Sequence, residues 1–212
     1  GERRHVSVSV PSFLEENLLK LKCDKVLLDF YLIRRGRIST PQTFSDFLHY
    51  CALLLSARTD PVHTEQRSKA LRQLKTSYKD DEWEAFHQSF IELCGTFSRN
   101  IGYGIYKDLF AVPFTQIGAA SRTLKQDFTP ADVGKLIGAI SIPSKLSLPE
   151  EGFFSLGDQA CGSGTLLLAG VQHFADLGYN PTAQLVIQAA DLDARCVHMA
   201  YLNLSLYCIP AV

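Results

Sequence analysis

Long apolar runs are missing from this 212-residue chain. The longest, at 52–55 and 166–170, fall far short of the ~18 residues a membrane-spanning helix needs. No membrane span is expected. No basic-then-apolar stretch opens the chain, so a secretory leader is not expected either. Paired cysteines are also missing. Cys23, Cys51, Cys94, Cys161, Cys196 and Cys208 include no C-x-x-C spacing, which removes the sequence basis for a zinc ribbon or a redox pair. The six histidines form no H-x-x-x-H pair, and no metal site is expected. Several cysteines sit among apolar residues and read as small reduced hydrophobes, which points to the cytoplasm. Strong charge of either sign is absent: the net charge is −1. Residues 1–127 carry 18 Lys+Arg against 15 Asp+Glu, a net of +3, and residues 128–212 carry 3 against 7, a net of −4. That split suggests two regions with different roles, but it is too slight to argue for nucleic-acid binding by itself.

A hydrophobic fraction of 46% with 20% charged residues is ordinary for a globular protein. The expected fold class is α + α/β: a helical domain over 1–115, then an α/β domain over 116–212. Apolar residues recur at helical spacing over 12–35, opened by Ser12 with Glu15 or Glu16 and closed by Arg34-Arg35-Gly36. Ser39-Thr40-Pro41 is a cap followed by a first-turn proline, and Phe44, Phe47, Leu48 and Cys51 continue a helix to about Ala57. Residues 63–77 read as a polar helix. Asp80, Asp81 and Glu82 suit a helix N-terminus, and Trp83, Phe86, Phe90, Leu93 and Phe97 form the stripe that follows. That aromatic stripe is read as core.

Beyond residue 100 the chain becomes glycine-rich. A second cap-and-proline start at Thr129-Pro130 precedes Val133, Leu136, Ile137 and Ile140 at helical spacing. Residues 152–158 read as a short buried strand. The turn Gln159-Ala160-Cys161-Gly162-Ser163-Gly164 follows, and a helix begins at Thr165. Residues 185–191 read as a second strand, with a second helix at about 194–207. A strand ending in an acid, then a glycine turn and a helix, makes a nucleoside-binding corner. Gly162 and Gly164 carry no Cβ, so a ligand can approach the backbone. Neither G-x-x-x-x-G-K-[ST] nor G-x-G-x-x-G is present, since Leu167 stands where a third glycine belongs. A nucleoside-triphosphate or dinucleotide site is therefore weakly supported.

The string Asp158-Gln-Ala-Cys-Gly-Ser-Gly-Thr-Leu-Leu-Leu-Ala resembles motif I of the DNA adenine-N6 methyltransferases (the N-6 DNA methylase family), in particular the modification subunits of type I restriction systems. Asp127-Phe128-Thr129-Pro130 is similar to that family's [FY]-T-P segment. Ala189-Ala-Asp191-Leu-Asp193 with Ala200-Tyr-Leu-Asn203-Leu is similar to its motif II segment. The likeness covers about residues 100–212. It implies the start of a Rossmann-like class I methyltransferase domain that binds S-adenosylmethionine. It also implies a role for each residue. Ala160, Cys161, Gly162, Ser163, Gly164 and Thr165 would bind the cofactor, the 162–164 turn passing beneath its methionine and ribose. Asp158 would organise the turn and attract the ligand's amino group, Asp191 would accept the ribose hydroxyls, and Leu192 would lie against the adenine. Phe128, Thr129 and Pro130 would close over the methionine end, although Thr129 also reads as a plain helix cap. Asp193 reads as a cap. Gln159 stands where the family has proline. Cys161 is not expected to be a nucleophile.

The family's [NDS]-P-P-[YFW] tetrapeptide, whose aromatic residue stacks on a flipped base, is absent from the sequence. No catalytic residue is assigned. The apolar ending at 206–212 and the count of two strands suggest an incomplete methyltransferase fold. The resemblance implies double-stranded DNA as partner, reached through a specificity subunit or a further domain, within a restriction-modification system or a mobile element. A short relative without catalysis, acting as an accessory or interfering protein, and an unrelated nucleotide-binding domain stay open as alternatives.

Overall fold

The computed structural model describes residues 38–117, 131–142 and 149–212. The expected helix at 12–35 and the Phe128-Thr129-Pro130 segment lie outside them. The described chain is mostly helical, with a small two-stranded parallel sheet. It is broadly α + β.

The first helices form where the caps predicted them. Helix α1 (Thr40–Thr59) starts at Ser39, whose side chain accepts from the Gln42 amide, and Pro41 sits in its first turn. A 3₁₀ turn (Pro61–His63) leads into the polar helix α2 (Thr64–Lys75). Arg67 of α2 donates to the Ser56 carbonyl at 2.6 Å and to Asp60 Oδ2 at 2.7 Å, tying α2 back to the end of α1. Helix α3 (Asp80–Gly102) opens on three acids, and the Glu82 carboxylate takes the Lys79 amide at 2.8 Å. Phe86, Leu93 and Phe97 are buried along it, so the expected aromatic stripe is core. Phe86 is fully buried among Phe47, Tyr50, Tyr78 and Trp83, with ring centroids 4.6–5.9 Å away.

Residues 103–110 run from α3 to the short helix α4 (Ala111–Gln116) as a strap across the second half of the chain. Gln172 and Tyr207 tie down three of its residues. The Tyr106 amide donates to Gln172 Oε1 at 2.8 Å, and Gln172 Nε2 donates to the Gly104 carbonyl at 3.0 Å. The Tyr207 hydroxyl donates to the Lys107 carbonyl at 2.9 Å and accepts from the Lys107 amide and from Asn100 Nδ2.

Helix α5 (Ala131–Ser141) packs on α6 (Thr165–Asp176) in an unexpected orientation. The stripe that predicted it points outward: Leu136 is 61% and Ile140 74% exposed. Gly134 and Gly138 face α6 instead. A Cβ on Gly138 would lie 3.0 Å from the Ala169 carbonyl oxygen, so glycine allows this approach where a larger residue would push the helices apart by a few tenths of an ångström.

Strand β1 (Phe154–Asp158) pairs in parallel with β2 (Leu185–Ala189), Leu156 opposite Ile187. Helices α6 and α7 (Pro181–Gln184) make the crossover, as a parallel pair requires. Two expectations need correction. First, β1 is not buried on both faces. Phe154, Leu156 and Asp158 are half-buried, whereas Ser155 and Gly157 are exposed. Alternation sends successive side chains to opposite faces, and these two small residues take the open one. Second, the apolar ending is a pairing segment. Ile187 forms a parallel bridge with Ala211. The Ile187 amide donates to the Pro210 carbonyl at 2.8 Å, and the Val212 amide donates to the Ile187 carbonyl at 2.9 Å. The last residues therefore add beside β2 in the manner of a third parallel strand. Helix α8 (Ala194–Leu206) closes the unit and packs against α1. The buried core runs without a break from Phe44 on α1 to Ile209. No helix among the described residues is long and apolar enough to cross a membrane.

Candidate functional site

The two strands end side by side at Asp158 and Ala189, and the chain after each becomes one side of a single polar corner. After β1, the Asp158 carboxylate accepts the Ala160 amide at 2.9 Å and starts the turn. The Cys161 amide then crosses to the Ala190 carbonyl, also at 2.9 Å. Gly162 has φ +55° and Gly164 φ +88°, a region that residues with a Cβ adopt at a cost. These two angles turn the chain from the strand into α6, with Gly164 as the residue capping that helix.

After β2, Asp191 holds the same turn from the other side. Its Oδ2 accepts the Gly162 amide at 2.9 Å, and its Oδ1 accepts the Asp193 amide at 2.9 Å. Each carboxylate oxygen has a second lone pair, so both can still accept from a ligand hydroxyl. Leu192, next in sequence, is 98% exposed. Asp193 caps α8, accepting the Arg195 amide at 2.9 Å, as its position predicted. The Arg195 guanidinium pairs with Asp193 at 2.5 Å and lies 5.1 Å from the centre of the Phe114 ring.

Cys161 is buried behind the turn. Burial pushes its thiol up to about 11, and the nearby charges of Asp191 and Asp158 push in the same direction. Burial likewise raises Cys196 on α8 to about 12, with Asp191 and Asp193 adding to it. A thiol held so far above neutral pH supplies almost no thiolate there.

The structure therefore brings Asp158, Ala160, Cys161, Gly162, Ser163, Gly164, Thr165, Asp191 and Leu192 into one corner. Cys161 and Ser163 do not face an open site, and the Thr165 hydroxyl is already engaged. Ser163 is fully buried. Its hydroxyl donates to Asp108, as does that of Thr165, at 2.6 Å from Oδ2.

Asp108 is the site residue that sequence reasoning missed. It stands in the strap, and its Oδ1 accepts the amides of Phe110 at 2.8 Å and Ala111 at 3.2 Å, starting α4. An acid just ahead of an apolar helix start is a recognisable cap signal. Nothing local signals its second role, because the partners lie 55 to 95 positions further along the chain. Asn203 on α8 completes the group. Its Nδ2 donates to Asp108 Oδ1 and to the Ser163 carbonyl, both at 2.9 Å, and the residue is fully buried.

Comparison of the chain with protein-family models, with curated proteins and with solved structures finds no match.

Proposed function

We propose that this corner binds S-adenosylmethionine and that the chain is the cofactor-binding part of a protein like the DNA adenine-N6 methyltransferases. The observation that carries this reading is the pair of strand-end acids. Asp158 and Asp191 close on the glycine turn from both sides and hold its amides at 2.9 Å. The ligand carries a sulfonium and an ammonium group, which two carboxylates attract. A pyrophosphate would be repelled by them. Asp191 retains lone pairs for the ribose hydroxyls, and the uncovered Leu192 offers an apolar face for the adenine. When bound, S-adenosylmethionine supplies an electrophilic methyl group; the residues here bind and orient it.

The strand arrangement supports the Rossmann-like reading. A parallel β1–β2 pair, with the 210–212 segment bridged to the far side of β2, is compatible with the order 3-2-1 found in one half of a doubly wound sheet. In such sheets, ligands bind at the carboxyl ends of the strands, where Asp158 and Asp191 stand. Phe128, Thr129 and Pro130 remain proposed contacts. Double-stranded DNA, met through a specificity subunit or a further domain of a restriction-modification system, is the proposed partner, and the cytoplasm the proposed location. No residue is assigned to catalysis.

Calorimetric titration tests the reading. The 212-residue chain is expected to bind S-adenosylmethionine and not NAD. Asp191→Ala is expected to weaken binding by roughly tenfold or more, since a charged hydrogen bond contributes about 1.5–3 kcal/mol. Binding of NAD alone would remove the methyltransferase reading, and an unchanged affinity would remove Asp191 from the site.

A further inference from the structure

The cap position of α6 is filled by Gly164, which has no side chain to offer. A carboxylate reaches that helix start from elsewhere. Asp108, carried in by the strap, bonds through Oδ2 to the hydroxyls on either side of Gly164, those of Ser163 and Thr165. In glycine-turn folds this helix N-terminus is where a nucleotide's phosphate sits, because the aligned peptide dipoles favour an anion there. Here the chain provides its own anion.

The carboxylate is fixed in place. Two backbone amides, two hydroxyls and the Asn203 amide group all donate to it. Asn203 reinforces the local polarity. Its Nδ2 faces two acceptors, which settles the orientation of the amide, and its buried Oδ1 has no hydrogen-bond partner among the described residues. The polar capacity left beside the turn is that of an acceptor.

We propose that Asp108 is a specificity-determining residue of the corner, occupying the phosphate position with a fixed carboxylate so that the site takes a cationic nucleoside and rejects a phosphate-bearing one. This rests on the reading of the glycine turn as a nucleoside corner. It also makes the helical half part of the site, since the residue that sets ligand charge belongs to the strap and not to the strands.

The test uses the full chain and Asp108→Asn, which keeps size and shape but removes the charge. S-adenosylmethionine, S-adenosylhomocysteine (which lacks the sulfonium charge) and ADP are titrated by calorimetry. The wild type is expected to prefer S-adenosylmethionine over both. Asp108→Asn is expected to narrow the preference over ADP by tenfold or more, and an unchanged ratio overturns the proposal. If the wild type binds none of the three, the nucleoside reading falls, and amide NMR with inorganic phosphate decides the role of Asp108. Phosphate-dependent shifts at Gly164 and Thr165 in Asp108→Asn but not in the wild type support it. Shifts in both proteins, or in neither, overturn it. Should the variant not fold, the wild-type phosphate titration stands alone: a shift at Thr165 overturns the proposal, and silence supports it.

Discussion

Around Phe86, four aromatic rings meet in a space closed to water, and the packing is almost wholly apolar. Around Gly162, the turn is held by carboxylates on backbone amides and by two positive backbone angles. The first region gains its stability from buried area and tolerates small changes of angle. The second depends on direction. Loss of a ring should therefore spread through the fold, whereas loss of a glycine should stay close to the ligand.

The largest expected effect tests the aromatic side of that contrast. Phe86→Ala should cost about 3–5 kcal/mol of stability. Because the core is continuous from α1 to Ile209, the loss should appear as one shifted denaturant transition and not as a separate early one. Two transitions would show that the helical half melts alone.

The next prediction probes the seam between the halves. His49 on α1 stacks on His198 of α8, with ring centroids 5.0 Å apart and planes within 7°. Burial lowers both, and His198 falls from 6.5 to about 4, with the charge of His49 lowering it further. Asp46 and Asp193 oppose these shifts and are outweighed. The folded pair resists protons that the unfolded chain accepts. Stability is therefore full above the ordinary histidine value and is lost as pH falls towards 4. The loss should be about 2 kcal/mol in urea titrations. His198→Phe keeps a ring without the proton and should flatten that curve; an equally steep curve would place the acid sensitivity elsewhere.

Gly164→Ala tests the directional side. The added Cβ would meet Ala200 at an ordinary 3.6 Å, so the cost is conformational, about 1–2 kcal/mol. Its signature should be weaker S-adenosylmethionine binding together with a modest fall in denaturation midpoint. A fall in midpoint with unchanged affinity would mean that the turn does not shape the site.

The smallest effect checks the same backbone penalty away from any ligand. Cys208 has φ +59° just past α8, where the Ile209 amide bonds to the Leu204 carbonyl and the Cys208 amide to that of Ser205. This is the helix-ending motif that favours glycine. Cys208→Gly should stabilise the protein by about 0.5–1 kcal/mol, the relief of strain being partly offset by a looser unfolded chain. A destabilised variant would show that the exposed Cys208 side chain makes contacts that count.

Much of the local structure was legible in the sequence. Ser39-Thr40-Pro41, the acids at 80–82 and the cap at Asp193 act through neighbours a few residues away, so their effect can be read directly. The glycine turn was legible for the same reason. The facing of α5 was not. Its apolar spacing gave the helix, but the close approach of Ala169 to Gly138 chose which side packs, and that contact joins distant parts of the chain. The half-open β1, the pairing of 210–212 with β2 and the reach of Asp108 all depend on partners that no window of sequence contains. Phe128, Thr129 and Pro130 lie outside the described residues, so their expected contacts remain proposals.

The Tyr207 hydroxyl joins Asn100 and Lys107, residues 107 and 100 positions earlier. Its consequence is one of timing. The strap is complete in the sequence long before its partner is. Only when α8 has been made does the phenol reach back and fasten it. Contacts of such sequence separation are slow to form, because a long loop must close before anything is gained. The strap that carries Asp108 to the glycine turn is thus fastened by contacts of the slow kind.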